Sequence, residues 1–270
     1  MKLRHGSLFS GIGGFDLAAE WAGWENVFHC EWNPFGQRVL KHYWPNAESF
    51  YDITKSDFSK YEHTIDIISG GFPCQPFSTA GQRRGTDDTR YLWPAMLDVI
   101  RAVKPRYVVG ENVHGLVNWN DGLVFDTVCA DLEAQGYEVQ AFLLPAAAVG
   151  ALHKRDRIWF IAYSNQIPSS GMGKCGTKSF SQWRKAKWSE SRQFLQLVFN
   201  GTMAEIRTNE GQYLKSEPTL ISDIDGVSYD VAGGTFYGYA DEANGAYGNA
   251  IVPQVALQIF NAINEYERTK

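Results

Sequence analysis

Short apolar runs alternate with amphipathic stretches over the first 163 residues of the chain. Runs rich in β-branched and aromatic residues predict strands, whereas apolar positions that recur every three or four residues predict helices. The predicted strands are residues 4–9, 26–30, 64–69, 106–109, 138–144 and 157–162. The predicted helices are residues 14–22, 34–43, 91–103 and 122–135. This alternation predicts an α/β fold with a parallel sheet and crossover helices.

The pattern changes after residue 163. Residues 164 to about 211 are rich in Ser, Gly, Lys and Gln, and the alternation of strands and helices stops there. Near the end of the chain, an apolar stripe at a spacing of four predicts a helix with Pro253 in its first turn. The stripe consists of Ile251, Val255, Ile259 and Ile263. We therefore predict a first domain over residues 1–163, a separate region over residues 164–245, and a C-terminal segment over residues 246–270 that returns to the first domain.

The composition is typical of a soluble globular protein, with 44% hydrophobic and 20% charged residues. The longest apolar stretch, residues 141–152, contains Pro145 and Gly150 and is shorter than the roughly 18 residues that a membrane span needs. The N-terminal residues contain no hydrophobic core of a signal peptide, so we expect a cytosolic protein. Four cysteines without Cys-x-x-Cys spacing argue against a zinc site and against a disulfide framework. They are Cys30, Cys74, Cys129 and Cys175.

A basic and aromatic segment stands out in a chain whose net charge is -5. Six basic residues against one acid lie between residues 174 and 192, with Trp183 and Trp188 among them. A solvated basic loop and a surface that contacts nucleic acid are about equally compatible with this segment alone.

The segment from Gly70 to Ser78 holds a cysteine rigidly. Cys74 stands between Pro73 and Pro76, and each proline fixes its own φ and restricts the residue before it. A single cysteine is ordinarily a small buried hydrophobic residue. Its place in a rigid loop, after a strand and a glycine pair, instead favours a reactive thiol.

A glycine turn follows the first predicted strand and opens a helix, in the run Phe9-Ser10-Gly11-Ile12-Gly13-Gly14. Such a turn lets the backbone approach a ligand, although Asp16 replaces the third glycine of the dinucleotide fingerprint. Glu31 follows the next strand, where an acid commonly accepts hydrogen bonds from ribose hydroxyls, and Trp32 offers a ring for stacking on adenine. The sequence thus predicts a cofactor that contains a nucleoside.

Charged side chains lie at the ends of two further strands. Glu111 is placed at the carboxyl end of a buried strand, which is the rim of the ligand crevice in open α/β sheets. Arg155 and Arg157 precede another strand, and alternation predicts that they point to the same side. Two guanidinium groups suit a phosphate or a polarised carbonyl. A solvated acid at a strand end and a plain charged turn are the simpler interpretations.

Taken in order, these segments resemble the motifs of DNA cytosine-5 methyltransferases. The matching segments are Phe9-Ser10-Gly11-Ile12-Gly13-Gly14, Glu31-Trp32, Asp52, Pro73-Cys74-Gln75-Pro76-Phe77-Ser78, Glu111-Asn112-Val113, Arg155-Asp156-Arg157 and Gly248-Asn249-Ala250-Ile251-Val252-Pro253. The resemblance spans nearly the whole chain. It implies a doubly wound, Rossmann-like domain dependent on S-adenosylmethionine, with a target-recognition region over residues 164–245.

The resemblance also implies a covalent mechanism. Cys74 is expected to add to carbon 6 of the cytosine, so that carbon 5 can take the methyl group. Glu111 is expected to protonate or hydrogen-bond ring nitrogen 3, and Arg157 to hold the ring carbonyl oxygen. Arg155 would supply the positive charge that favours the thiolate of Cys74.

The implied cofactor is S-adenosylmethionine, which leaves as S-adenosylhomocysteine. Glu31 is expected to bind its ribose, and Asp52 is expected near its adenine amino group. The other residues expected in this pocket are Phe9, Gly11, Gly13, Gly14, Trp32, Pro73, Leu92, Asn249 and Ile251.

The implied substrate is duplex DNA, from which the target cytosine is flipped out. The residues expected to contact DNA are Gln75, Ser78, Arg83, Arg84, Lys185 and Lys187. We expect a monomer that needs no metal and no membrane, of the restriction-modification, phage or solitary type, with a cognate restriction endonuclease as a candidate partner.

Three other functions stay open at this point. An RNA cytosine-5 methyltransferase of the same fold would carry similar motifs. The glycine turn alone would also suit a nicotinamide-dependent oxidoreductase, which the missing third glycine disfavours. A catalytically silent DNA-binding homologue is disfavoured by the presence of Cys74, Glu111 and Arg157 together.

Overall fold

The computed structural model describes residues 2–73, 91–151, 154–164 and 250–268. Its strands are β1 (Arg4–Leu8), β2 (Glu25–Cys30), β3 (Glu48–Phe50), β4 (Ile67–Gly71), β5 (Tyr107–Val113), β6 (Tyr137–Pro145) and β7 (Asp156–Ser164). Its α-helices are α1 (Gly14–Trp21), α2 (Pro34–Tyr43), α3 (Trp93–Val103), α4 (Leu123–Ala134) and α5 (Pro253–Arg268). Short 3₁₀ helices cover Ser59–Tyr61, His114–Gly122 and Ala146–Val149.

The seven strands of the described residues form one sheet in the order β3-β2-β1-β4-β5-β7-β6. Strands β1 to β5 pair in parallel, so their carboxyl ends share one edge of the sheet. The chain runs outward from β1 to β3 on one side and continues from β4 on the other. The point between β1 and β4 is therefore a topological switch, where open α/β sheets bind their ligands.

Each strand and helix predicted for the first 163 residues is present, with ends displaced by four residues or fewer. The short strand β3 was not predicted. The expectation of a parallel sheet is wrong at one edge, because β7 pairs antiparallel with both β5 and β6. The connection from β6 to β7 is too short for the crossover that parallel pairing needs, so the chain turns back on itself.

Helices cover both faces of the sheet. Helices α3 and α4 pack on one face, and α1 and α5 pack together on the other. Trp24 joins the second layer by stacking on Phe260 at 4.3 Å between ring centroids and by donating Nε1–H to Asn264. Val255, Ile259 and Ile263 of the predicted stripe are buried in this layer, which confirms the amphipathic pattern of the C-terminal helix.

Candidate active site

Two neighbouring strands bring Glu111 to the switch point. Gly71, the last residue of β4, pairs with Glu111 of β5. A Cβ atom on Gly71 would lie 3.2 Å from Oε2 of Glu111, so the glycine leaves room for the carboxylate. Glu111 is only 8% exposed. The sequence therefore places an acid at the crevice rim, as expected, and the fold buries it there.

Arg157 is the ion-pair partner of Glu111. Its Nε lies 3.0 Å from Oε1 of Glu111, across the antiparallel pairing of β5 and β7. Arg155 lies before β7 and has a positive φ of 37°. The alternation of side chains along a strand therefore does not apply to Arg155, and the prediction of its orientation from alternation with Arg157 rested on a wrong reason. The guanidinium of Arg155 nevertheless acts electrostatically on Glu111, and its Nη2 donates to the carbonyl of Ala250 at 2.6 Å.

Burial raises the pKa of Glu111 to about 7. The positive charges of Arg157 and Arg155 lower the pKa, but they offset only part of the desolvation of the carboxylate. Near neutral pH this carboxyl group therefore exists both with and without its proton. Such a group can donate a hydrogen bond to a ligand or accept one.

Asn112 follows Glu111 in the sequence, and its side chain contacts Phe72, the first residue after β4. Its Nδ2 donates to the carbonyl of Phe72 at 2.8 Å, and its Oδ1 accepts from the amide of Val113. No separate role was predicted for Asn112 from the sequence. Asn112 lies next to the candidate acid Glu111 in the segment Glu111-Asn112-Val113, and this position is the signal that could have identified it.

The candidate nucleophile Cys74 lies outside the described residues. The chain on either side of its segment is described, and the amide of Leu92 lies 3.4 Å from the carbonyl of Pro73. Burial raises the pKa values of Cys30 and Cys129 to about 12 each, so these two thiols stay protonated at neutral pH. They are therefore poor nucleophiles.

The glycine turn after β1 is held by Glu31. Gly11 and Gly13 have positive φ values of 57° and 85°, which L side chains rarely adopt. Oε2 of Glu31 accepts from the amide of Gly11 at 2.6 Å, and Oε1 accepts from the amide of Asn33 at the same distance. Each carboxylate oxygen keeps a further lone pair, so Glu31 can still accept a ribose hydroxyl.

Gly36 lets helix α2 approach this turn closely. A Cβ atom on Gly36 would lie 2.5 Å from the carbonyl oxygen of Gly11 and 2.9 Å from Cγ of Glu31. No local pattern predicts this requirement, because the contact between Gly36 and Gly11 joins residues that are 25 positions apart in the chain.

The remaining candidate cofactor residues border the same edge of the sheet. Trp32 is 72% exposed, so its ring is open to a ligand. Asp52 accepts from the amide and hydroxyl of Thr54 and pairs with Lys55 at 2.9 Å, and these contacts, led by the hydroxyl of Thr54, lower its pKa. Ile251 packs where a Cβ atom on Gly14 would lie, which brings the C-terminal segment to the glycine turn.

Several candidate residues also lie outside the described residues. They are Asn249 of the cofactor set and Gln75, Ser78, Arg83, Arg84, Lys185 and Lys187 of the DNA-contacting set. Phe9 and Leu92 are half-buried, and Phe9 has a positive φ of 51°.

No group of three or more His, Cys, Asp or Glu in the described part of the chain is arranged to hold a metal ion. Among the helices described, none is long and apolar enough to cross a membrane.

The family model described as C-5 cytosine-specific DNA methylase matches residues 3–224, well over half of the chain. The Type II methyltransferase M.NgoBI of Neisseria gonorrhoeae is 37% identical over 163 residues, which are 60% of this chain and 50% of that protein. The orphan methyltransferase M.Rho11sI of Bacillus phage rho11s is 36% identical over 172 residues, which are 62% of this chain and 34% of that protein.

Solved structures share the fold. The crystal structure of the S. pombe Dnmt2 methyltransferase superposes with a TM-score of 0.55 at 19% identity, over 78% of this chain and 59% of that one. The chain spans half or less of the length of the curated relatives named above.

Proposed function

The chain belongs to the C-5 cytosine-specific DNA methylase family, and from this premise we propose that it transfers a methyl group from S-adenosylmethionine to carbon 5 of a cytosine in duplex DNA. The observation that carries the proposal is the ion pair between buried Glu111 and half-buried Arg157, beside the end of the strand that leads to Cys74. An acid with a pKa of about 7 at that place suits a reaction that moves a proton on the base.

The residues at the switch point fit the proposed cofactor. Among the described residues, no atom lies within 4 Å of the position of a Cβ atom on Gly11, the ring of Trp32 is 72% exposed, and the oxygens of Glu31 keep lone pairs for a ligand. We assign the ribose to Glu31, the adenine to Trp32 and Asp52, and the rest of the molecule to the glycine turn, Pro73, Leu92, Asn249 and Ile251. When bound, S-adenosylmethionine supplies the electrophilic methyl group that carbon 5 accepts.

The chain supplies the activation of the base. In the proposed reaction the thiolate of Cys74 forms a bond to carbon 6, and the electron pair of the ring double bond moves toward the carbonyl and ring nitrogen 3. Protonated Glu111 donates to nitrogen 3, and Arg157 binds the carbonyl oxygen, so both offset the developing negative charge. After carbon 5 has accepted the methyl group, a base takes the proton from carbon 5, the ring double bond re-forms, and the electron pair of the bond to carbon 6 leaves with sulfur as the thiolate of Cys74.

We further propose that residues 164–245 recognise the target sequence. The six candidate DNA-contacting residues would bind the DNA while its target cytosine is flipped out of the duplex. Relatives of both the Type II and the orphan kind support an enzyme of the restriction-modification, phage or solitary type. We place the protein in the cytosol of a bacterium or of a phage-infected cell, as a monomer, with a restriction endonuclease as a candidate partner.

Bisulfite sequencing tests the proposal directly. Duplex DNA incubated with the protein and S-adenosylmethionine is expected to show protected cytosines in one sequence context. The Cys74→Ala variant is expected to protect none, while its cofactor binding, measured by calorimetry, persists. Protection of tRNA cytosines alone would contradict the proposal and support an RNA methyltransferase.

A further inference from the structure

The side chain of Asn112 takes over where the main-chain ladder between β4 and β5 ends. The last paired residues of the two strands are Gly71 and Glu111. One position further on, Nδ2 of Asn112 donates to the carbonyl of Phe72 at 2.8 Å. Pro73 has no N–H with which to continue the ladder. The carbonyl of Phe72 therefore receives its hydrogen bond from the side chain of Asn112.

The orientation of this amide is fixed by its second contact. The main-chain N–H of Val113 is a donor, so it must face the oxygen of the Asn112 amide, at 2.8 Å. The amino group then faces the carbonyl of Phe72. Asn112 is 4% exposed, so water does not compete for either contact.

Phe72 is held from its side chain as well. Its ring is 2% exposed and packs against Trp93, with 5.0 Å between ring centroids. The carbonyl of Phe72 belongs to the peptide bond that leads to Pro73, directly before Cys74. A clamp on this carbonyl thus fixes the start of the segment that carries the thiol.

From this geometry we propose that Asn112 is a positioning residue that holds the Phe72–Pro73 peptide, directly before Cys74 in the sequence, in register with Glu111. The inference rests on the proposed function, in which sulfur and carboxyl group must reach carbon 6 and nitrogen 3 of one ring. Glu111 and Asn112 are neighbours on one strand, so a single buried hydrogen bond relates Glu111 to the peptide that precedes Cys74 in the sequence.

Two variants and one control test the inference. Asn112→Ala removes both contacts of the side chain. Asn112→Asp keeps the shape and the acceptor for Val113, and it loses the donor to Phe72 when measured at pH 8. Tyr137→Phe is the matched control, because Tyr137 also donates to a buried carbonyl, that of Pro105, at the opposite edge of the sheet.

We expect both Asn112 variants to lower the single-turnover rate of methyl transfer by about tenfold to a hundredfold, the effect of a misplacement of roughly 1 Å. Cofactor affinity should stay within about twofold of the wild type. The control should lose thermal stability to a similar degree and keep its transfer rate. Wild-type rates in the Asn112 variants, or an equal loss of rate in Tyr137→Phe, would overturn the inference.

Amide hydrogen exchange separates this inference from the proposed function. In Asn112→Ala, exchange in the peptide that covers residues 67–73 is expected to become about fivefold faster, the factor that one lost hydrogen bond gives. Unchanged exchange would show that Asn112 does not hold the carbonyl of Phe72. A wild-type protein that methylates neither DNA nor RNA would instead remove the proposed function, whatever the exchange shows.

Discussion

Glu31 and Glu111 stand at the same edge of one sheet, and their surroundings differ. Glu31 is half-buried, and its two oxygens accept main-chain amides of Gly11 and Asn33. Glu111 is buried, faces Arg157, and has a pKa raised by desolvation to about 7. In the half of the cleft formed by β1 to β3, main-chain amides hold the acid, which suits the proposed binding of the cofactor. In the half formed by β4, β5 and β7, burial raises the pKa of the acid, which suits the proposed exchange of a proton with the base.

Exchanging each acid for its amide should separate the two halves. Glu111→Gln removes the titrating proton, so we expect methyl transfer at saturating cofactor to fall by about 10² to 10⁴ while cofactor affinity changes little. Glu31→Gln should do the reverse, because it replaces charge-assisted hydrogen bonds that hold the glycine turn. Its expected effect is roughly a tenfold weaker affinity, with a transfer rate close to wild type.

Single-turnover kinetics and isothermal calorimetry measure the two quantities separately. Loss of rate and of affinity together in either variant would break the distinction between a binding half and a reacting half. Melting curves of both variants show whether each remains folded.

Gly36→Ala should damage the binding half through the backbone. The added Cβ would lie 2.5 Å from the carbonyl oxygen of Gly11, which cannot move without shifting the glycine turn. We expect a loss of about 2 kcal/mol in the free energy of unfolding and a cofactor affinity at least tenfold weaker. Gly115→Ala is the matched control, because in the described part of the chain no atom lies within 4 Å of the position of a Cβ there. Equal effects of the two substitutions on affinity would contradict this explanation.

The sequence predicted the order of the elements well because apolar periodicity is local. The apolar runs that became β1, β2, β4 and β5 could be read within ten residues of chain. The antiparallel direction of β7 could not be read in this way, since it depends on the length of a connection rather than on the strand itself. Strand β3 has only three residues, too few for a pattern to emerge.

The residues of the candidate site also differ in whether the sequence could predict them. Glu31 and Glu111 were found because acids after strands are a local signal. The contacts of Gly36 with Gly11 and of Asn112 with Phe72 were not found, because each joins segments well separated in sequence. Only the packing of the folded strands, turns and helices brings such residues together.

The reacting half should also respond to pH in its stability. The folded-state pKa of Glu111, about 7, lies above the ordinary value of 4.5, so the folded protein binds this proton more tightly than the unfolded chain. Its contribution to stability is fully present below about pH 4.5 and is lost as pH rises through about 7. Between pH 5 and pH 8 we expect the free energy of unfolding to fall by about 2 kcal/mol more in the wild type than in Glu111→Gln.

Urea unfolding at the two pH values measures this difference. Parallel pH dependence of the wild type and Glu111→Gln would show that the carboxyl group does not titrate in this range. The proton-handling role of this half would then be lost.

Trp32→Ala should have the smallest effect and test the binding half from its open side. The ring is 72% exposed, so the protein gains little from it, and we expect the free energy of unfolding to change by less than about 0.5 kcal/mol. A ring that stacks on adenine contributes about 1 kcal/mol, which corresponds to a cofactor affinity roughly fivefold weaker in the variant. Trp21→Ala, which removes a ring that is 49% exposed at the far end of α1, is the control and should leave affinity unchanged. Calorimetry with S-adenosylmethionine measures the cofactor affinity of both variants. Equal affinities for the two variants would mean that Trp32 is an ordinary surface residue. The binding half would then rest on the glycine turn and Glu31 alone.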